Sequence, residues 1–160
     1  MYYIYSDGAC SGNKVNEGIG GYGAVIVGPN KDDIETVSGG QKDTTNNRME
    51  IYSAISGLKK LSNMLDHKTD DISCSVYSDS KYLVDSWNDY LFGWIDNGWR
   101  RSNNRKVLNI DLWKYLYVLT CNFKRVKFLW VRGHDGNKYN EMADKLATKG
   151  IVHLKRKMKS

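Results

Sequence analysis

The chain has 160 residues, of which 41% are hydrophobic and 26% charged, enough for one globular domain with a sizeable core. Its formal net charge is +6, but Lys155, Arg156, Lys157 and Lys159 supply +4 of that from the last ten residues and leave +2 for residues 1–150. Any argument for nucleic-acid binding therefore rests on local clusters, Arg100, Arg101, Arg105 and Lys106 in one stretch and Lys124, Arg125, Lys127 and Arg132 in another. Cys10, Cys74 and Cys121 are odd in number and form no CxxC pair, which excludes a disulfide scaffold and reads as reduced thiols. No stretch has the pattern of a signal peptide or a membrane span, so the expectation is a cytoplasmic protein without membrane contact, the basic run 155–159 being a candidate nuclear address.

Tyr2–Ser6 alternates in polarity and leads into Asp7-Gly8, with Ala9–Gly18 read as loop. Gly20–Val27 and Ile34–Ser38 are two further strands joined through Gly28-Pro29-Asn30, a turn composition. From Asn47 the period changes: Ile51, Ala54, Ile55, Leu58, Leu61 and Leu65 recur at helical spacing. A strand over Ile72–Ser78, a helix over Ser80–Leu91, a helix over Ile110–Cys121 capped by Asn109, a strand over Val126–Val131 and a helix over Asn140–Lys149 complete the order. Three antiparallel strands followed by parallel ones reached through helices make a five-stranded mixed α/β sheet flanked by helices.

In that topology the strands ending near Asp7 and Asp79 lie side by side and parallel, and the right-handed crossover helix between them carries Glu50. Each acid alone has an ordinary explanation. Asp7 before Gly8 suits a turn, Asp79 before Ser80 a helix cap, Glu50 the first turn of a helix, and Asp144 a solvated helix face. Together, four carboxylates converging on one sheet edge with no Cys or His partner suit hard divalent cations such as Mg²⁺ or Mn²⁺ rather than zinc.

The segments Asp7-Gly8-Ala9-Cys10-Ser11-Gly12-Asn13, Thr44-Thr45-Asn46-Asn47-Arg48-Met49-Glu50, Tyr77-Ser78-Asp79-Ser80 and Arg132-Gly133-His134 followed by Asn140-Glu141-x-Ala143-Asp144 resemble the type 1 ribonucleases H. The resemblance runs in order from the first strand to about Gly150 and implies the ribonuclease H-like fold. It also implies an endonuclease that hydrolyses the RNA strand of an RNA·DNA hybrid and leaves 3′-hydroxyl and 5′-phosphate ends. Asp7, Glu50, Asp79 and Asp144 fall at the family's metal ligands, for two Mg²⁺ ions with Mn²⁺ as a substitute, and Asp7 falls at the ligand shared by both. His134 falls at the family's auxiliary proton carrier. Cys10, Asn13, Asn46 and Asn47 match positions that read 2′-hydroxyls in the minor groove, while Thr45 and Asn109 match part of a pocket for a DNA phosphate. Asn46 and Asn109 are equally candidate helix caps.

Gly93–Lys106 resembles the family's basic protrusion, with Trp94, Trp99 and Trp113 expected to pack on one another and Tyr90 to lie nearest the DNA strand. The departures concern affinity. Ile95-Asp96-Asn97 stands where some relatives place consecutive bases, Asp43 where some have a phosphate-binding Arg, and Lys81, taken as substrate-binding, where a Gln is common. Three additional residues lengthen Asn13–Gly20. The expectation is a monomer with a catalytic domain over residues 1–150 and a basic tail over 151–160 that assists hybrid binding. Two other classes fit less well: integrases and junction resolvases lack the Asn46-Asn47-Arg48-Met49-Glu50 pattern, and a non-catalytic binding module has no need of four convergent acids.

Overall fold

The computed structural model of the protein describes residues 1–12, 18–30, 32–133 and 136–159. Strands β1 (Tyr2–Ser11), β2 (Gly18–Val27) and β3 (Ile34–Thr44) are followed by helix α1 (Asn46–Met64) and strand β4 (Ser73–Ser78). Helices α2 (Lys81–Asp85), α3 (Leu91–Asp96) and α4 (Ile110–Cys121), strand β5 (Arg125–Trp130) and helix α5 (Lys138–Lys159) complete the chain. The five strands form one sheet in the order β3-β2-β1-β4-β5. β1 pairs antiparallel with β2 and parallel with β4, and β4 pairs parallel with β5, as the order of hydrophobic periods predicts.

Alternation along the strands builds two cores, because successive side chains leave opposite faces of a sheet. Ile4, Ala24, Ile26 and Val76 meet Ile51, Ile55 and Leu58 of α1, and this larger core continues into α4 through Trp113 and Leu116. On the other face Val25 and Val27 pack with Ala143, flanked by Tyr3, Tyr5, Tyr139 and Leu146. α5 covers that second face by crossing β1, β2 and β3. Gly21 and Gly23 make the crossing close, since a Cβ at either would collide with the α5 carbonyls of Ala147 or Ala143.

Several boundaries differ from the sequence expectation. β1 does not stop before Asp7: Asp7, Ala9 and Cys10 pair with Gly23, Gly21 and Gly20 of β2, so part of the expected loop is strand. On its other side the ladder with β4 ends at Ser6↔Ser78. Asp7 is therefore the first residue of β1 beyond the parallel ladder, level with Asp79 beyond the end of β4. β3 likewise runs on past Ser38 to Thr44.

The single helix expected after Asp79 is a π-helical turn over Ser86–Tyr90 flanked by α2 and α3. α3 stops at a left-handed Gly98, where the Gly98 amide reaches the Ile95 carbonyl at 3.2 Å and the Trp99 amide reaches Trp94 at 2.6 Å, the paired bonds of a glycine-terminated helix. α5 begins two residues earlier than expected, with Asn137 Oδ1 accepting from the Tyr139 and Asn140 amides, and continues helical to Lys159. The basic residues from 155 onward are its last turns. Among the described residues no helix is long and apolar enough to cross a membrane.

Candidate metal centre and nucleic-acid interface

Asp7 is carried by β1, Asp79 follows β4, and Glu50 comes from the second turn of α1. One carboxylate oxygen of each lies within 4.8 Å of the others. Asp7 and Glu50 are each only 5% exposed. Asp144, half-buried on α5, lies near enough to raise both the Asp7 and the Glu50 carboxyls. Asp7, Glu50 and Asp79 thus form one cluster, on which Asp144 acts from α5.

The ordinary explanations of these acids fail on geometry. The Ser80 hydroxyl, not Asp79, caps α2 by accepting from the Leu83 amide at 3.1 Å. Thr45 caps α1 by accepting from the Arg48 amide at 3.2 Å, so Glu50 lies beyond the first turn, where the helix dipole favours it little. The same finding corrects the cap reading of Asn46, which is the first residue inside the helix.

Gly8 binds β1 to α1. Its amide donates to Oδ1 of Asp7 at 3.0 Å and also to Oε1 of Glu50. A Cβ on Gly8 would overlap the backbone of Met49 and Glu50, so only glycine permits the approach. Burial first, then the charges of Glu50 and Asp79, drives the Asp7 carboxyl far above the ordinary carboxylate range. Burial first, then Asp79, raises Glu50 as well, the hydrogen bonds from Asp7 and the Gly8 amide opposing the rise. A cluster of oxygen donors that repel one another and resist ionisation when alone has the donor set and the missing positive charge that divalent hard cations fit.

Two neighbours of Asp79 carried no assignment in the sequence reading. The Trp130 indole donates to the Asp79 carbonyl at 3.1 Å, and the Lys81 ammonium sits 5.0 Å above the Trp130 ring. Gly133 lies so close that a Cβ there would be 2.7 Å from Oδ2 of Asp79. His134 and Asn13 lie outside the described residues.

Around the acids, Thr45, Asn46 and Asn47 are exposed at the start of α1. Cys10 is tied to them through its thiol, which donates to the Thr44 carbonyl at 3.5 Å. Asn109 occupies the cap position of α4 in a left-handed conformation but makes no capping bond with its side chain. Its amide donates instead to the Tyr82 hydroxyl at 2.9 Å and accepts from Arg48 at 3.3 Å. Arg48 also forms a fork with Asp111, at 3.0 and 2.7 Å, and that hydrogen bond holds the Asp111 carboxyl below its usual value. An ion pair this exposed is worth about 0–1 kcal/mol, so its effect is positional: it ties α4 to the start of α1, where Arg48 bonds both Thr45 and Asn109. Arg48 and Tyr82 thus organise this corner, and Arg48 stood inside a quoted motif without a role.

A cavity of about 620 Å³ opens between the π turn, α3 and the following loop, lined by Tyr82, Tyr90, Trp94, Arg101, Asn103 and Leu108. Tyr90 stacks on Trp94 with ring centres 6.3 Å apart, and Trp94 reaches the fully buried Trp113 at 5.9 Å. Trp99 departs from the expected trio by turning its ring to Tyr117 at 6.4 Å, because the left-handed pair Gly98-Trp99 reverses the chain there.

The family model for RNase H matches residues 1–152. A ribonuclease H of Francisella philomiragia is 44% identical over 150 residues, covering 94% of this chain and 90% of that protein. One of Dechloromonas aromatica is 40% identical over 153 residues, covering 95% and 94%. The crystal structure of LC9-RNase H1, a type 1 RNase H with the type 2 active-site motif, superposes with a TM-score of 0.79 at 30% identity, covering 95% of this chain and 72% of that one. LC11-RNase H1, crystallised in complex with RNA/DNA hybrid, shares the fold at a TM-score of 0.72 and 21% identity, covering 96% of this chain and 99% of that one. With the family model spanning residues 1–152 and relatives at 40–44% identity matched over at least 90% of their length, this chain belongs to the ribonuclease H family.

Proposed function

We propose that the chain is an endonuclease that hydrolyses the RNA strand of RNA·DNA hybrids with two divalent cations, leaving 3′-hydroxyl and 5′-phosphate ends. The observation that carries this reading is the convergence of Asp7, Glu50 and Asp79 within 4.8 Å, with Asp144 beside them, in a chain of this family. Those four residues would hold the ions, and Asp7, which matches the family's shared ligand and feels each of the other three acids, would be common to both. When bound, Mg²⁺, or Mn²⁺ in its place, activates water and stabilises the departing 3′ oxygen.

The remaining roles belong to the chain. Gly8 holds the carboxylates of Asp7 and Glu50 in fixed relation through one amide. His134 follows Gly133, which rests on Asp79, and serves as a proton carrier that assists turnover. Cys10, Asn13, Asn46 and Asn47 read 2′-hydroxyls across the shallow minor groove of an A-like duplex. Thr45 and Asn109, each hydrogen-bonded to Arg48, receive a DNA phosphate. Tyr90 and Trp94 offer faces to the sugars and bases of that DNA strand. Lys81, resting on Trp130 beside Asp79, supplies a cation to the substrate where relatives use an amide.

The experiment is incubation of labelled RNA·DNA hybrid, duplex DNA and duplex RNA with the protein, in Mg²⁺ and in EDTA. The reading requires cleavage of the RNA strand of the hybrid alone, in Mg²⁺ alone. Cleavage of duplex DNA would move the chain to the integrase or resolvase class, and binding without cleavage would make it a non-catalytic module.

A further inference from the structure

α5 continues helical to Lys159, and between Lys145 and Lys159 it carries six cations and no acid. At 100° per residue, these cations do not share one direction. Lys145, Lys149 and Arg156 fall opposite Ala143, Ala147 and Gly150, the residues buried against the sheet, and so face solvent. Lys155 falls within about 20° of Asp144, and Lys159 within about 60°. The flank of α5 that presents Asp144 to the acidic site therefore also presents Lys155, about 16 Å further along the axis, while Lys159, about 22 Å along, turns towards the outer face.

Contacts with β3 fix where this flank ends. A Cβ on Gly40 would sit 3.1 Å from the Leu154 side chain, so the turn before Lys155 rests on the edge strand. Lys42 lies two residues further along β3, where the register with β2 shifts between Gly20↔Gln41 and Gly18↔Thr44, and is exposed. β3 then leads through Thr44 to Thr45 and Asn46. Lys42 and Lys155 thus lie near the corner where the edge strand enters the substrate-facing start of α1.

We propose that this corner is a second phosphate-backbone contact for the hybrid, set about five base pairs from the acidic site at about 3.4 Å per nucleotide. The inference rests on the hybrid-cleaving reading above. The corner adds to the cations of the protrusion, in which Ile95-Asp96-Asn97 places none between Trp94 and Trp99.

Truncation after Gly150 is a poor test, because Ile151 and Leu154 approach the sheet at Gly21 and Gly40. Two full-length variants with equal loss of charge separate position from net charge: Lys155→Gln on the flank and Lys149→Gln on the outer face. KM and kcat for labelled hybrid are measured against salt. The flank variant should lower the slope of log affinity against log salt by about 0.9, the value for one lost phosphate contact. Its KM should rise several-fold at physiological salt with kcat unchanged, while the outer-face variant keeps the wild-type slope. Equal changes in both variants, or no change in the flank variant, would overturn the proposal. Failure of the wild-type protein to cleave hybrid would overturn the activity reading instead.

Discussion

Asp7 stands at the centre of the site, and its physical state dominates residue-scale behaviour. Its folded carboxyl titrates above the unfolded value because burial and the neighbouring acids disfavour its charge, and Glu50 is raised for the same kind of reason. A raised folded value means that the stabilising contribution is complete below the ordinary carboxylate range and is lost as pH rises through it towards the folded value. In EDTA, then, the protein should become less stable between mildly acidic and alkaline pH, and Mg²⁺ should restore the loss by binding the ionised cluster. Asp7→Asn removes one charge from the crowd. Its thermal midpoint in EDTA at alkaline pH should exceed that of wild type by about 2–4 °C for each ~1 kcal/mol of repulsion relieved, with the gain shrinking at low pH. A midpoint below wild type at every pH would show that the acids do not repel one another. The proposed role of His134 is in turnover and not in holding the cluster. His134→Ala should lower kcat by ~10²-fold with the calorimetric Mg²⁺ titration unchanged, and lost cation binding would make it a ligand.

The critical element junction is the contact between β1 and the start of α1. Gly8 permits it by close approach, since a methyl group there would meet backbone atoms of Met49 and Glu50 that cannot rotate aside. Gly8→Ala should destabilise the fold by about 1–3 kcal/mol, as overpacking does, and should reduce kcat further by displacing Glu50 from Asp7. Gly93→Ala is the control, placed in α3 with open space around its Cβ position, and should be neutral or stabilising. Thermal midpoints of the two variants decide the matter, and equal midpoints would mean that the junction tolerates a shift. Sequence cues for Gly8 pointed to a turn, because Asp-Gly is a turn dipeptide and a partner on a helix 42 residues away leaves no local trace.

At the scale of the whole molecule, the order of elements was legible because the switch from alternating to helical periodicity near Asn47 is a property of the chain itself. Strand order followed from crossover handedness, and with it the meeting of Asp7 and Asp79. Extents were less legible where side chains carry no signal. Gly18, Gly20, Gly21 and Gly23 blur the start of β2 and hence the continuation of β1 to Ser11, since Gly18 admits the Ser11 backbone, Gly20 the Thr44 and Met49 side chains, and Gly21 and Gly23 the α5 carbonyls, rather than forming a hydrophobic face. The last turns of α5 looked like a tail because charge dominates them, although Ile151 and Leu154 keep the helical spacing that seats them on the sheet. Of the site, the four acids were visible through their company in sequence. Trp130, Arg48 and Tyr82 were not, because they act through the Asp79 carbonyl and the Asn109 side chain, contacts that exist only once β5, α2 and α4 are assembled.

The central claim is that the convergent acids hold the cations that drive hydrolysis of the hybrid. Its most direct test is the rate of RNA-strand cleavage by Asp7→Asn in Mg²⁺, set against wild type at a temperature where both are folded. The account predicts rapid cleavage by wild type and none detectable by a variant that is as stable as wild type or more so. Wild-type turnover in a folded Asp7→Asn protein would contradict it.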